Sequence, residues 1–125
     1  MGNVLAVGFG GFFGCIARYL VGVLVSRLFG ESLFPFATLV VNIFGCLLIG
    51  LFSNLAENTW VISPHAQLFI AVGFLGGFTT YSAFSYQTLI LMRDGHLLSA
   101  ALNVTAHIVF GFGAVWLGAL IAKQI

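Results

Sequence analysis

Charged residues are scarce in this chain of 125 residues: it has four lysines and arginines and three aspartates and glutamates, which is 6% of the total. A soluble domain carries roughly 25% charged residues, which cover the surface that faces water. Because 61% of the residues here are hydrophobic, we predict that most of the surface faces membrane lipid. The same scarcity excludes nucleic acid as a partner, since phosphate binding needs clustered lysines and arginines.

The residue combinations of common enzyme sites are also lacking. The sequence offers no Ser/His/acid set, no side-chain cluster with metal-ligand spacing and no phosphate-binding loop in a suitable context. Cys15 and Cys46 fall inside apolar segments, where cysteine usually behaves as a small packing residue. We therefore expect neither an enzyme nor a disulfide nor a side-chain metal site.

Four long apolar segments make up nearly the whole chain. A helix needs about 20 residues to cross the hydrocarbon layer of a membrane, so four crossings almost exhaust the length. We predict one all-α membrane domain over residues 1–125, with helices at about 4–25, 37–55, 66–92 and 97–122. Apart from Arg18, the charged residues mark the ends of these helices; they are Arg27, Glu31, Glu57, Arg93, Asp94 and Lys123.

Positive charge is divided almost evenly between the two sides of such a bundle. One side carries the amino terminus and Lys123, and the other carries Arg27 and Arg93. Because an excess of lysine and arginine normally fixes the cytoplasmic side, this balance favours insertion in both orientations and an antiparallel dimer of opposed copies. The alternative is that a weak bias still selects one orientation.

Glycine is abundant, with 16 residues, and two pairs have a spacing typical of membrane helix contacts. Gly10 and Gly14, and likewise Gly73 and Gly77, stand four residues apart. This spacing lets helix backbones approach closely in lipid. The pairs therefore suggest close helix packing and, with less specificity, self-association.

The third segment contains a run of glycines and threonines that predicts a break near mid-membrane. Gly76 and Gly77 are followed closely by Thr79 and Thr80. Backbone groups freed at that depth must be buried in protein or line a wet cavity, and freed carbonyl oxygens can coordinate a small cation such as sodium. The alternative is a continuous helix whose serine and threonine hydroxyls bond back to their own backbone.

No aspartate or glutamate lies within the predicted crossings, whose polar residues are Arg18, Asn42, Asn103, His107 and the hydroxyls of the third segment. Carriers of cations or protons generally need a buried carboxylate, whereas amide and hydroxyl donors suit an anion. Structural roles stay open for three of these residues. For Arg18 we favour such a role, in which its side chain caps backbone carbonyls or extends to the membrane interface. Asn42 could instead join two helices, and His107 could be a packing residue between helices.

Two rings and an amide offer a set of neutral groups for a small anion. Tyr81 and Phe84 are three residues apart and share a helix face, and aromatic ring edges are electropositive. Together with the amide of Asn42 they could replace the water shell of an anion, although aromatic pairs at this spacing are usually core residues. Asn103 and His107, four residues apart on the last helix, add a candidate pore-lining stripe.

Three stretches resemble the Fluc/CrcB family of fluoride channels: residues 73–85 (GFLGGFTTYSAFS), residues 38–42 (TLVVN) and residues 14–19 (GCIARY). The first is highly specific and the other two are supportive. The similarity in length and segment order covers nearly the whole chain.

The resemblance implies a passive fluoride-selective channel that exports fluoride from a microbial cytoplasm through the cell (inner) membrane and so confers fluoride resistance. It implies an antiparallel dual-topology homodimer with two pores, whose partners are fluoride, a second copy and lipid. The fluoride pathway matches Asn42, Tyr81, Phe84, Ser82, Ser85 and Thr38. Gly76 and Thr79 match positions whose backbone carbonyls hold a structural sodium ion at the dimer interface.

Two positions depart from the family pattern, in which the first ring is usually phenylalanine and a glutamate commonly follows the second ring. The chain has Tyr81 and Gln87 there, and Gln87 removes a charge near a vestibule. Two other functions fit parts of the sequence. A small dual-topology transporter of the multidrug type requires an embedded carboxylate that is missing, and a structural membrane subunit leaves the donors unexplained.

Overall fold

The computed structural model describes residues 1–30, 32–58 and 62–124, and the regular structure of these residues is helical. Glu31 lies outside the described residues. The helices are α1 (Gly2–Phe29), α2 (Phe36–Asn58), α3 (Pro64–Gln67), a π-helix (Leu68–Leu75), α4 (Gly76–Phe78), α5 (Tyr81–Arg93) and α6 (Leu97–Ala122).

Four of the resulting spans are long and apolar enough to cross a membrane: Gly2–Phe29, Phe36–Ser53, Pro64–Arg93 and Leu97–Ala122. The sequence prediction of four membrane-spanning helices is therefore confirmed. The first helix runs to Phe29, about a turn further than expected, and ends where Gly30 adopts a φ of 67°. A second left-handed glycine, Gly95, with a φ of 82°, forms the turn between α5 and α6. These conformations favour glycine because it lacks a Cβ atom.

The third span is a composite of several winding modes. It begins at Pro64 after Ser63, whose hydroxyl accepts a hydrogen bond from the backbone N–H of Ala66 at 3.2 Å. Proline at the first helical position and serine before it are typical of a helix start. The backbone then stays right-handed through the π-helix into α4. The π-helix was not expected from the sequence.

An interruption separates α4 from α5. Thr79 (φ −82°, ψ 160°) and Thr80 (φ −150°, ψ 111°) have extended backbone conformations, and α5 begins at Tyr81. These are the residues at which the glycine and threonine run weakens helical structure.

Glycines make the contact between α1 and the first half of the third span. A Cβ atom at Gly10 would overlap the carbonyl oxygen of Phe69, and one at Gly14 would overlap that of Phe74. From the other side, a Cβ atom at Gly73 or Gly77 would press on the α1 backbone. The two glycine pairs thus bring two helices of the same chain together.

The helices α2 and α6 pack along each other in the same manner. A Cβ atom at Gly50 would overlap the carbonyl oxygen of Val115, and one at Gly118 would overlap that of Leu47. Large apolar side chains on the outside, such as Phe9, Phe12 and Trp116, are exposed. This surface suits contact with lipid or with another apolar protein surface.

Candidate functional site

A groove of about 480 Å³ lies where α2, the third span and α6 meet. Most of its wall is apolar, from residues such as Ile43, Ile49, Leu75 and Ile108. The polar and aromatic residues that line it include Asn42, Thr79, Thr80, Tyr81, Phe84 and His107. Five of the residues singled out from the sequence, namely Asn42, Thr79, Tyr81, Phe84 and His107, are therefore brought together, and Gly76 lies beside them in the lining.

Asn42 closes the break in the third span from the neighbouring helix. Its Nδ2 donates to the carbonyl oxygen of Thr80 at 3.0 Å, and its Oδ1 accepts from the backbone N–H of Thr80 at 2.8 Å. Buried backbone groups that lose their helical partners are costly unless they are paired again. One side chain satisfies both groups of Thr80, and the amide keeps a second N–H for another acceptor.

The two threonine side chains terminate the half-helices. The Thr79 hydroxyl donates to the carbonyl oxygen of Leu75, four residues earlier, at 3.0 Å. This is the bond of a threonine hydroxyl back to its own helix backbone, and here it lies where the first half of the third span ends. The Thr80 hydroxyl accepts from the backbone N–H of Ala83 at 3.3 Å and caps α5. It also lies 3.3 Å from the hydroxyl of Ser82.

These bonds leave two carbonyl oxygens without their usual helical donors. In an α-helix the carbonyl of Gly76 would accept from the N–H of Thr80, and that of Thr79 from the N–H of Ala83. The first N–H donates to Asn42 and the second to the Thr80 hydroxyl. Gly76 is exposed. Carbonyl oxygens are ligands that hard cations accept, so the donor set fits sodium.

Side chains in the described part of the chain offer no comparable cation site. Within residues 1–30, 32–58 and 62–124, no group of three or more His, Cys, Asp and Glu residues could hold a metal ion. A cation at the break would depend on backbone oxygens.

The aromatic rings form a short series along the groove. The ring centres of Tyr81 and Phe84 are 5.7 Å apart with planes tilted by 50°, and those of Phe84 and His107 are 4.3 Å apart with a tilt of 42°. Tyr81 is 80% exposed, whereas Phe84 is half-buried. Phe84 therefore packs from α5 against His107 of α6, and Tyr81 faces outward.

A chain of hydrogen bonds joins α5 to α6 beside these rings. The Thr88 hydroxyl donates to the carbonyl oxygen of Phe84 at 2.8 Å and accepts from Nδ2 of Asn103 at 2.9 Å. Nδ1 of His107 lies 2.9 Å from the carbonyl oxygen of Asn103. Asn103 is fully buried, so it connects the two helices rather than lining the groove. Thr88 was not singled out from the sequence, although its spacing of four residues from Phe84 permits this back-bond.

Three predicted pathway residues lie outside the lining of the groove. Thr38 is buried near the start of α2, Ser82 is exposed and Ser85 is half-buried. Arg18, for which a structural role was favoured, lies within α1 and its guanidinium is 3.4 Å from the sulfur of Cys15.

Comparison with known proteins agrees with this architecture. The family described as "CrcB-like protein, Camphor Resistance (CrcB)" matches residues 5–119. A Chlorobaculum tepidum protein named "Fluoride-specific ion channel FluC" is 49% identical over 123 residues, covering 98% of this chain and 96% of the relative. A Campylobacter jejuni protein of the same name is 46% identical, covering 98% of this chain and 99% of the relative. One from Geobacter sulfurreducens is 43% identical over the full length of both chains.

These matches run through all four membrane-spanning helices, so the similarity concerns the complete bundle and not one motif. With four such helices and ion-channel relatives of equal length, the protein is a multi-pass membrane protein. The chain belongs to the CrcB family.

Proposed function

We propose that the protein is a passive fluoride-selective channel that exports fluoride from the cytoplasm across the cell membrane, the inner membrane in bacteria, and so confers fluoride resistance. The observation that carries this function is the full-length similarity to proteins named fluoride-specific ion channels. The groove supports it because it combines neutral donors and aromatic rings with an apolar wall. The function is that of a channel and not of an enzyme.

Fluoride must lose its hydration shell to enter such a narrow apolar path, and neutral donors compensate for that loss. The second N–H of Asn42 is one donor, and the electropositive edges of Phe84 and Tyr81 add further stabilisation. The free N–H groups at the start of α5 carry the positive end of the helix dipole. An anion near the break is therefore stabilised without a fixed positive charge that would hold it too tightly.

Other polar residues extend this path in the proposal. Ser82, Ser85 and Thr38 supply hydroxyl donors outside the groove, along the approach to it. His107 forms its α6 side, and Asn103 holds α6 against α5 behind it. Tyr81 supplies the ring at the first aromatic position.

The functional unit in this proposal is an antiparallel dual-topology homodimer with two pores. One chain alone presents the groove, the exposed ring of Tyr81 and the exposed Gly76 on its surface. A second, inverted copy would cover this face and complete each pathway. The nearly balanced positive charge of the two ends supports insertion in both orientations.

The break at Thr79 and Thr80 lies near mid-membrane in this arrangement. In such a dimer the backbone carbonyl oxygens of Gly76 and Thr79 from both copies would be the ligands of a structural sodium ion. A sodium ion bound there would neutralise the carbonyl dipoles and link the copies.

Fluoride efflux from proteoliposomes that contain only this protein tests the function. We expect rapid efflux that needs no proton gradient and strongly favours fluoride over chloride. Phe84→Ala should lower the rate by about tenfold, since one lost contact of roughly 1.4 kcal/mol in the rate-limiting step has that effect. Trp116→Phe, on the outer surface, is the matched aromatic control.

The outcomes separate a channel from a coupled transporter and from a structural membrane subunit. Flux that requires a proton gradient would indicate a coupled transporter. No flux from a correctly folded preparation would indicate a structural subunit. Either result would contradict the channel proposal.

A further inference from the structure

The second half of the third span, α5, has few apolar anchors of its own. It follows the break at Thr79 and Thr80, and among its 13 residues, all of which the structure describes, Leu91 alone is fully buried. Yet α5 carries Phe84, whose ring lines the groove. A group that contacts a passing ion needs a defined position, which neighbouring residues must supply. The other contacts of α5 therefore decide where this ring lies.

Thr88 joins α5 to α6 through a hydrogen bond whose direction is fixed. Its hydroxyl donates to the carbonyl oxygen of Phe84 at 2.8 Å, and since that oxygen can only accept, the one hydroxyl hydrogen is used there. The Thr88 oxygen then accepts from Nδ2 of Asn103 at 2.9 Å. Asn103 is 0% exposed, so bulk water does not compete for this bond, and the bond is costly to break.

This bond lies one helical turn from the pair of rings that α5 and α6 bring together. Thr88 follows Phe84 by four residues and Asn103 precedes His107 by four, so each pair occupies one face of its helix. The ring centres of Phe84 and His107 are 4.3 Å apart. The polar bond and the ring contact are therefore neighbouring contacts of the same two helices.

A polar bond at this place has an effect that apolar packing lacks. Apolar contacts are non-directional, so they let two helices slide or rotate against each other. A buried hydrogen bond is lost when donor and acceptor move out of line, which is how single buried polar residues fix the register of helix pairs. The buried Oδ1 of Asn103 makes no hydrogen bond in the described part of the chain, and a half-paired buried amide is a poor choice for stability alone.

We propose that Thr88 is a positioning residue of the channel: with Asn103 it holds α5 in one register against α6, and so it keeps the ring of Phe84 at its place in the fluoride pathway. This inference rests on the proposed channel function. Thr88 does not touch the ion in this proposal, because it lies outside the groove lining and its hydroxyl hydrogen is bonded to the Phe84 carbonyl. Its effect on conduction therefore passes through the ring.

The test is a double-mutant cycle in fluoride efflux from proteoliposomes, with each rate normalised to the amount of folded protein. Thr88→Val keeps the shape of the side chain and removes both hydrogen bonds, so we expect efflux to fall by roughly tenfold. Thr88→Ser keeps the hydroxyl and should stay within about twofold of the unmodified protein. When the ring is already absent, in Phe84→Ala, adding Thr88→Val should change the rate by less than about twofold, because the two changes act through one contact.

Thr105→Val is the matched control, because it makes the same chemical change at an exposed position of α6 outside the groove and should leave efflux unchanged. Asn103→Leu removes the bond from the other helix, while Thr88 keeps its bond to the Phe84 carbonyl. This variant leaves neither helix with an unpaired donor at the bond, and it should reproduce the loss of efflux. It decides the question if Thr88→Val does not fold.

Two results overturn the inference. If folded Thr88→Val conducts at the original rate, Thr88 serves stability alone. If the substitution lowers efflux by the same factor with and without the Phe84 ring, Thr88 acts on conduction by another route. The same two criteria apply to Asn103→Leu. Both results leave fluoride efflux by the unmodified protein intact, whereas absence of that efflux contradicts the channel function itself and the inference with it.

Discussion

At the scale of single residues, Asn42 shows how one side chain serves structure and proposed function together. Both amide atoms bond to the backbone of Thr80, 38 positions away in the sequence. This pair holds the break in a defined shape, and the remaining N–H is available for an ion. The alternatives of helix joining and anion binding are therefore compatible.

Replacing Asn42 separates the two roles. Asn42→Ala leaves the N–H and carbonyl of Thr80 unpaired, and each such buried group costs about 1–3 kcal/mol. We expect a lower thermal transition in detergent and a loss of fluoride efflux. Asn42→Asp retains the acceptor for the Thr80 N–H but has no donor, so it should recover part of the stability and none of the efflux.

A fully active Asn42→Asp would contradict the assignment of the amide N–H to the ion. Ser99→Ala on α6 is a suitable control, because its small side chain lies outside the groove.

The hydroxyl of Tyr81 can be tested separately from its ring. The side chain is 80% exposed, so removal of the hydroxyl leaves no cavity. In Tyr81→Phe the electropositive ring edge is retained. We therefore expect a fluoride efflux rate within about twofold of that of the unmodified protein, which corresponds to a change of roughly 0.4 kcal/mol in the activation free energy of conduction. Efflux is measured with a fluoride electrode. A collapse of the rate in this variant would assign the ion contact to the hydroxyl instead.

Residue-scale contacts could be predicted from the sequence only in part. The spacing of Tyr81 and Phe84 placed both rings on one face, and their ring centres lie 5.7 Å apart. The bond between Asn42 and Thr80 could not be predicted, because it depends on how α2 packs against an interrupted helix. The bond of Asn103 to Thr88 likewise requires the approach of α5 to α6, which no local pattern encodes.

At the scale of helices, the ends and the interruption were easier to predict than the winding. Glycine and threonine near residue 79 weaken a helix through local chemistry, and the extended residues lie there. The π-helix at Leu68–Leu75 has an apolar sequence like that of its neighbours, and tertiary packing decides its winding. The glycine pairs indicated close helix contact but not whether the partner helix belonged to the same chain.

Gly14 tests the contact between α1 and the third span. In Gly14→Ala the new methyl group would overlap the carbonyl oxygen of Phe74, so we expect a loss of about 1–3 kcal/mol from overpacking. Gly22→Ala lies on the same helix with no atom within 4 Å of its Cβ position. This control should be neutral or should gain up to about 1 kcal/mol in helix propensity.

The stability of both glycine variants is measured by thermal unfolding in detergent, with size-exclusion chromatography as the readout of the folded fraction. Equal stability of the two would show that α1 and the third span are not in close contact.

At the scale of the whole molecule, the decisive property is its orientation in the membrane. Ser32 and Gln124 are exposed and follow α1 and α6, so they lie on opposite sides of the bundle. Single-cysteine variants Ser32→Cys and Gln124→Cys, each with Cys15→Ala and Cys46→Ala, can be labelled with an impermeant maleimide in sealed cells. If balanced charge permits both orientations, each variant should label to about half of its value in permeabilised cells.

Each variant serves as the control for the other. Complete labelling of one and none of the other would mean a single orientation and would contradict the antiparallel dimer.

The π-helical segment constrains how the length of this chain can change. Its i→i+5 bonding accommodates an extra residue where an α-helix would close its turn one position earlier. Deleting one residue between Leu68 and Leu75 would let the segment return to ordinary α-helical winding and leave the flanking residues facing their present neighbours. A further inserted residue would not be absorbed and would rotate the preceding helix by about 100° relative to the following residues. The side chains of Pro64–Gln67 would then point in another direction while Gly73 and Gly77 stayed against α1. A single deletion should consequently be tolerated inside the segment and a further insertion rejected.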